Sequence, residues 1–165
     1  MSTESSPLAP GRRCDAHDGP ITLFIIGMRI NRLHRPDKWL PVARAMPVML
    51  KELAQRPDRG LLGWELLRAG LRTIVTMQYW RDFEGLDAYA HDPELAHMPA
   101  WRAFNRGVKG NDAVGIFHET YVIPAGAHES IYVAMPPFGL GKAAGLREAS
   151  GNRFDARGRM GAPGG

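Results

Sequence analysis

Tyr79-Trp80-Arg81-Asp82-Phe83-Glu84-Gly85-Leu86-Asp87-Ala88-Tyr89-Ala90-His91-Asp92-Pro93-Glu94-Leu95-Ala96-His97-Met98-Pro99-Ala100-Trp101-Arg102-Ala103-Phe104-Asn105-Arg106 reads as one strand-to-helix unit. Upstream of it, Thr73–Trp80 alternates as a strand, with Thr76, Gln78 and Trp80 on one face and Val75, Met77 and Tyr79 on the other. Phe83–Ala90 is helical. Asp92-Pro93 supplies a cap followed by proline at a first helical position, and Met98-Pro99 repeats the break, so the second helical region is jointed and His97 sits at a joint. Trp101, Phe104 and Val108 then recur at core spacing, with Asn105 one turn beyond Trp101.

Working outward, the apolar run Ile21–Asn31 suits a strand covered on both faces whose polar end, Arg29-Ile30-Asn31, opens to a cavity or to solvent. From Trp39 to Arg56, Val42, Met46, Met49 and Leu53 form one helical stripe; Pro41 fits the first turn and Pro47 is expected to kink the helix. Pro57-Asp58-Arg59-Gly60 ends it as a turn, and Leu61–Leu67 with Thr73–Trp80 make an antiparallel hairpin around Gly70. Val114–Val122 is the last core strand, with His118 and Glu119 on opposite faces, and a short extra strand is expected at Ile131–Ala134.

The resulting order, βαββαβ, predicts an α+β, ferredoxin-like fold: an antiparallel sheet with both helices on one face. The other face then needs a cover. Leu62, Trp64, Leu66 and the strand-one apolar residues suggest that a second subunit packs there, sheet against sheet, as a homodimer.

With 165 residues and 44% apolar content, the chain has the size of one domain. Composition divides it into a disordered arm at 1–20, a folded domain at 21–144 and a Gly-rich disordered tail at 145–165. One cysteine, Cys14, excludes an intrachain disulfide, and the longest apolar run is too short to span a bilayer, so the expectation is a soluble cytoplasmic protein with no membrane partner. The net charge of +4 owes much to arginines near the ends, such as Arg12, Arg13, Arg147 and Arg153, rather than to a basic face, so no specific nucleic-acid partner is expected. The third strand also lacks the Arg/Lys-Gly-aromatic pattern of RNA-recognition modules. No metal-ligand pair, Gly-x-Ser-x-Gly or phosphate loop is present; Gly139-Leu140-Gly141 has the wrong spacing for a dinucleotide loop.

Each candidate site residue has a plainer reading beside the functional one. His97 is a general base, an axial haem ligand, or a partly exposed histidine capping a turn. His118 is a second functional histidine or a satisfied sheet-face one. Trp80 and Gln78 line a flat aromatic pocket or pack an interface. Asn31 and Arg29 polarise a substrate carbonyl or phenolate, or end a buried strand in solvent.

Tyr79-Trp80 running into Leu86-Asp87-Ala88-Tyr89 resembles the mark of the antibiotic-biosynthesis-monooxygenase superfamily of dimeric α/β barrels. Ile26–Asn31, Lys38–Val42, Pro99–Asn105, His118–Tyr121 and Met135–Leu140 are similar to the branch around the fumagillin-biosynthesis monooxygenase. The resemblance spans about Ile21–Ala144. It implies a monooxygenase acting with O2 on a hydrophobic, aromatic or polyketide-like small molecule, with no cofactor or with haem. Without a cofactor, His97 is the implied base, Trp80 and Trp101 the walls, and Asn31 or Asn105 the anion-stabilising donors, with Arg29, Gln78 and His118 also contacting substrate. With haem, His97 is the implied axial ligand.

Overall fold

The computed structural model describes residues 8–95 and 112–161. Its main sheet contains β2 (Ile21–Ile30), β3 (Leu61–Arg68), β4 (Thr73–Trp80) and β5 (Val114–Ile123), in the order β3-β4-β2-β5 with every neighbouring pair antiparallel. Placing the first and third core strands side by side at the centre is the ferredoxin-like arrangement, so the fold matches the reading of the sequence. The two central strands are the apolar run Ile21–Ile30 and the alternating Thr73–Trp80.

Cross-strand partners share a face of the sheet. Thr22 pairs with Trp80, Phe24 with Gln78, and Ile26 with both Thr76 and His118. This face carries the helices. Helix α1 (Pro36–Ala54) sends Leu53, and α2 (Phe83–His91) sends Leu86 and Tyr89, into one buried cluster with Trp80 and Leu95, with Met49, Phe24 and Leu61 against it. A second cluster at the far end joins Met28, Ile30 and Val114 to Trp39 and Val42. The helical stripe therefore meets the sheet along its length. Asp82 caps α2, its Oδ1 accepting from the Gly85 amide at 2.7 Å, and Gly60 (φ +88°) ends the 3-10 turn Pro57–Arg59 in the left-handed conformation that favours glycine. Helix α1 begins at Pro36, three residues before the expected start, and both Pro41 and Pro47 lie inside one uninterrupted helix.

The opposite face differs from expectation. Trp64 pairs with Gln78 and Leu66 with Thr76, which puts both on the helix side, while Leu62 falls in a register shift between Leu61 and Gly63. The apolar residues of the far face include Leu23, Ile25, Val75, Met77, Phe117 and Tyr121. Its β3 side is covered by this chain itself: the short helix Leu140–Ala144 lies so close that a Cβ on Gly63 would stand 2.7 Å from Ala143 Cβ. Gly139 N donates to Glu65 Oε1 at 3.0 Å and Lys142 Nζ pairs with Glu65 at 3.2 Å. On the β2–β5 side, Phe117 and Tyr121 remain 42% and 48% exposed.

The ends of the chain also correct the composition-based division. Residues Arg12–Asp15 form β1, Tyr132–Val133 form β6 and Leu146–Glu148 form β7, joined as a second sheet in the order β6-β1-β7. The described parts of the arm and tail, 8–20 and 145–161, are ordered because they pair with each other, bury Cys14 and Ala149, and engage their arginines. Arg147 makes a two-pronged ion pair with Asp18, and Arg12 lies 4.4 Å over the Phe154 ring. No helix among the described residues is long and apolar enough to cross a membrane.

Candidate active site

The chemistry-bearing side chains of the helix face fall along two adjacent rungs and a third beside them. At the first, Trp80 is 1% exposed and its ring centroid lies 6.0 Å from that of Tyr89. Its Nε1 donates to Gln78 Oε1 at 3.0 Å, two residues along the same face of β4. The Gln78 amide in turn donates through Nε2 to Met46 Sδ at 3.7 Å, a weak acceptor, so the amide is fixed with its oxygen toward the indole. Thr22 is opposite Trp80, and its Oγ1 is buried without a hydrogen-bond partner among the described residues. Tyr89 Oη donates to Glu52 Oε2 at 3.1 Å, tying α2 to α1; burial and then the carboxylate push this phenol well above its ordinary acidity constant.

On β5, His118 is exposed, and its ring lies 5.7 Å from that of Phe24 on the neighbouring strand. Thr120, opposite Phe24, is exposed on the same face. The described helix side thus grades from a dry, packed end at Trp80 to an open strip at Phe24, His118 and Thr120. Glu119 is on the reverse face, accepting from Tyr121 Oη at 2.7 Å, so His118 and Glu119 form no dyad, in line with their alternation.

Some expected site residues are brought together and others are not. Gln78, Trp80 and His118 share the helix face. Arg29 pairs with Thr73 and Gly115 on the reverse face, is exposed, and donates to Thr73 Oγ1 at 3.3 Å, so it cannot reach the Trp80 face. Asn31 lies just past the end of β2, where its Nδ2 donates to the Asp112 carbonyl at 2.9 Å. Thr22 is Trp80's partner, and nine strand residues at about 3.3 Å each put Asn31 roughly 30 Å away, at the opposite end of the sheet. Trp80 and Asn31 therefore do not line one cavity within this chain. His97, Trp101 and Asn105 lie outside the described residues. Thr22, Phe24 and Met46 were not singled out as site residues: the unbroken apolar run hid which strand-one side chains face the helices, and Thr22 was its one hydroxyl signal.

A haem needs a flat slot beside its axial ligand. At the Trp80 end of the described helix face, Leu53, Leu86, Tyr89 and Leu95 fill the space against the indole. That end does not fit the macrocycle.

Residues 21–140 match the family model described as monooxygenase af470-like. The chain is 30% identical over 133 residues to monooxygenase af470 of Aspergillus fumigatus, across 75% of this chain and 46% of that protein. It thus spans about half the length of this curated relative. Among solved structures, SnoaB of Streptomyces nogalater, described as a cofactor-independent oxygenase, superposes with a TM-score of 0.41 at 17% identity, covering 62% of this chain and 91% of that one. A putative antibiotic biosynthesis monooxygenase of Caulobacter crescentus superposes with a TM-score of 0.44 at 11% identity, covering 62% and 91%.

Proposed function

The chain belongs to the monooxygenase af470-like family, and on that premise we propose that it is a monooxygenase that oxidises a hydrophobic, aromatic or polyketide-like small molecule with O2 and needs no resident cofactor. Family membership over residues 21–140 is the observation that carries this reading. In such chemistry the substrate supplies the electrons. A base first removes a proton to leave a phenolate or enolate, the anion reduces O2, and a ring methylene becomes a carbonyl while the second oxygen atom leaves as water.

His97 is the proposed base, with Trp101 and Asn105 near it in sequence, and His118 is the second candidate. The open strip beside Phe24 and His118 supports an apolar substrate lying along the helix side of β2 and β5. Trp80, at 1% exposure, is a positioning residue in this scheme: its indole holds the Gln78 amide rather than touching substrate. Arg29 and Asn31 drop out, because one faces the other way and the other is tied to Asp112.

The protein acts as a homodimer in this proposal, with the uncovered β2–β5 part of the reverse face as the contact; Phe117 and Tyr121 supply exposed aromatic surface there. A single cysteine without a disulfide partner suits a reducing cytoplasm.

The test is oxygen uptake by chelator-treated protein with 1,8-dihydroxy-9-anthrone, a substrate that enolises readily. One O2 consumed per anthraquinone formed, above autoxidation and lost in His97→Ala, is the expected result. No rate above autoxidation with a panel of enolisable polycyclic phenols overturns the reading. A Soret band after haem addition that disappears in His97→Ala replaces it with haem chemistry.

A further inference from the structure

At the Asn31 end of the main sheet, the stretches 29–38, 66–73 and 112–115 meet. The Ala69 amide donates to the Thr73 carbonyl at 3.0 Å and closes the β3–β4 turn, and the Ile30 amide donates to the Arg72 carbonyl at 2.8 Å, joining that turn to the end of β2. The Asn31 amide donates to the Ala113 carbonyl at 2.9 Å, which adds the start of β5. This rim holds six cations, Arg29, Arg32, Arg35, Lys38, Arg68 and Arg72, and two carboxylates, Asp37 and Asp112. Its formal charge is therefore +4, the value for the whole chain, and the rest of the chain is formally neutral. This corrects the expectation that arginines near the chain ends carry the net charge. Asp37 pairs with Arg35 at 2.8 Å and Asp112 with Arg32 at 2.7 Å, whereas Arg29, Lys38, Arg68 and Arg72 make no ion pair among the described residues.

Exposed leucines stand among these charges. Leu71, in the turn, is 91% exposed, and Leu33 and Leu66 are each more than half exposed. A Cβ on Gly70, whose φ is +81°, would meet nothing within 4 Å, so the turn projects clear of its neighbours. Turn tips in water are ordinarily built from Gly, Asn, Asp, Ser and Pro. A protruding leucine with arginines on both sides is instead suited to the surface of an anionic bilayer, where the apolar tip enters the acyl boundary and the guanidinium groups meet lipid phosphates. A nucleic acid would use the charge and leave Leu71 without a partner, and the rim has no Phe, Tyr or Trp to stack on bases.

We infer that this rim docks the protein on the surface of an anionic phospholipid membrane, with Leu71 inserted and Arg68 and Arg72 pairing with lipid phosphates beside it. Arg29 and Lys38 add long-range attraction. The contact is superficial and needs no spanning helix. It leaves Phe117 and Tyr121 free for a second subunit, and it does not rest on the reaction proposed above.

Sedimentation of the full chain with vesicles of phosphatidylcholine alone, or of equal parts phosphatidylcholine and phosphatidylserine, tests this. The expected result is saturable binding to the mixed vesicles, roughly tenfold weaker binding to phosphatidylcholine alone, and loss of binding in about 1 M salt, where screening acts over about 3 Å. Arg68→Gln and Arg72→Gln each weaken binding about fivefold. Arg157→Gln, in the short helix Ala156–Arg159, removes an equal charge and changes binding by less than about twofold. Leu71→Ser, which leaves the charge intact, weakens binding about fivefold or more. The emission of Leu71→Trp shifts to the blue on the mixed vesicles and is quenched by brominated lipid. Circular dichroism without vesicles shows that each variant is folded. Equal binding to both vesicle types, full affinity in folded Leu71→Ser, or an equal loss in Arg157→Gln overturns the assignment. Binding of a DNA duplex or an RNA strand that Arg68→Gln weakens, with no binding to vesicles, gives the rim to nucleic acid and overturns it too. So does a dimer that Leu71→Ser dissociates in sedimentation velocity, since the tip is then a subunit contact.

Discussion

The Trp80 indole and the Gln78 amide are joined by a 3.0 Å hydrogen bond between side chains on one face of one strand, both almost completely buried. The pair sets a polar contact inside an otherwise apolar layer. Replacing Gln78 with Met keeps the volume but leaves the indole N–H unpaired. We expect a loss of about 1–3 kcal/mol in urea unfolding, with unchanged secondary structure by circular dichroism.

Trp80 fills the space among Leu53, Leu86, Tyr89 and Leu95, and truncating it opens a cavity beneath both helices. Trp80→Ala should lose about 3–5 kcal/mol, and Trp80→Phe less, since the ring partly fills the gap. On the proposed scheme, in which the indole acts through Gln78, Trp80→Phe should reduce kcat more than it raises KM in oxygen-uptake assays. The reverse pattern would mean that Trp80 itself contacts the substrate.

Tyr79 sits on the reverse face beneath Gly139, and burial, followed by Tyr132 and Glu65, pushes its phenol up to about 12. The folded value lies above the unfolded one near 10, so the folded state holds the proton longer. Its contribution to stability is fully present below about pH 10 and is lost as pH rises toward about 12. Absorbance titration at the tyrosinate band should show one late-titrating phenol fewer in Tyr79→Phe than in the wild-type chain, since Tyr89 remains.

Gly27 lies under the Phe117 ring: a Cβ there would stand 2.8 Å from Phe117 Cζ and 3.1 Å from the Ile74 carbonyl. Gly27→Ala should destabilise the fold by about 1–3 kcal/mol through overpacking. Adding Phe117→Leu should restore part of that loss, a non-additive result that double-mutant unfolding curves would reveal.

Phe117 also tests the proposed assembly. Phe117→Arg puts a charge on the exposed β2–β5 surface and should yield a monomer by sedimentation velocity where the wild-type chain sediments as a dimer. Dimers in the variant would place the contact elsewhere.

The core elements were legible because each had a local cause. Alternation through Thr76, Gln78 and Trp80 fixed a face, and Val42, Met46, Met49 and Leu53 fixed a helix stripe; both describe the molecule. What local pattern cannot carry is register. Whether Trp64 faces the helices depends on its partner across the hairpin, Gln78, and on a one-residue shift near Leu61 that reverses every later side chain. Asn31 was grouped with Trp80 by chemistry alone, and only the antiparallel pairing of β2 with β4 puts them at opposite ends. The same limit hid the second sheet. Arg12–Asp15 has too little apolar surface to be read as a strand by itself, and its partners lie more than a hundred residues away.

That separation gives the small sheet a place in time. Cys14 pairs with Arg147, so at synthesis rates of about 5–20 residues per second β1 waits roughly 7–27 s for β7 to be made. During that interval the Cys14 thiol, 3% exposed in the finished fold, lacks the strand that helps bury it. A thiol-reactive pulse on ribosome-bound chains would label it until β7 emerges and docks, making one cysteine a clock for the last event of folding.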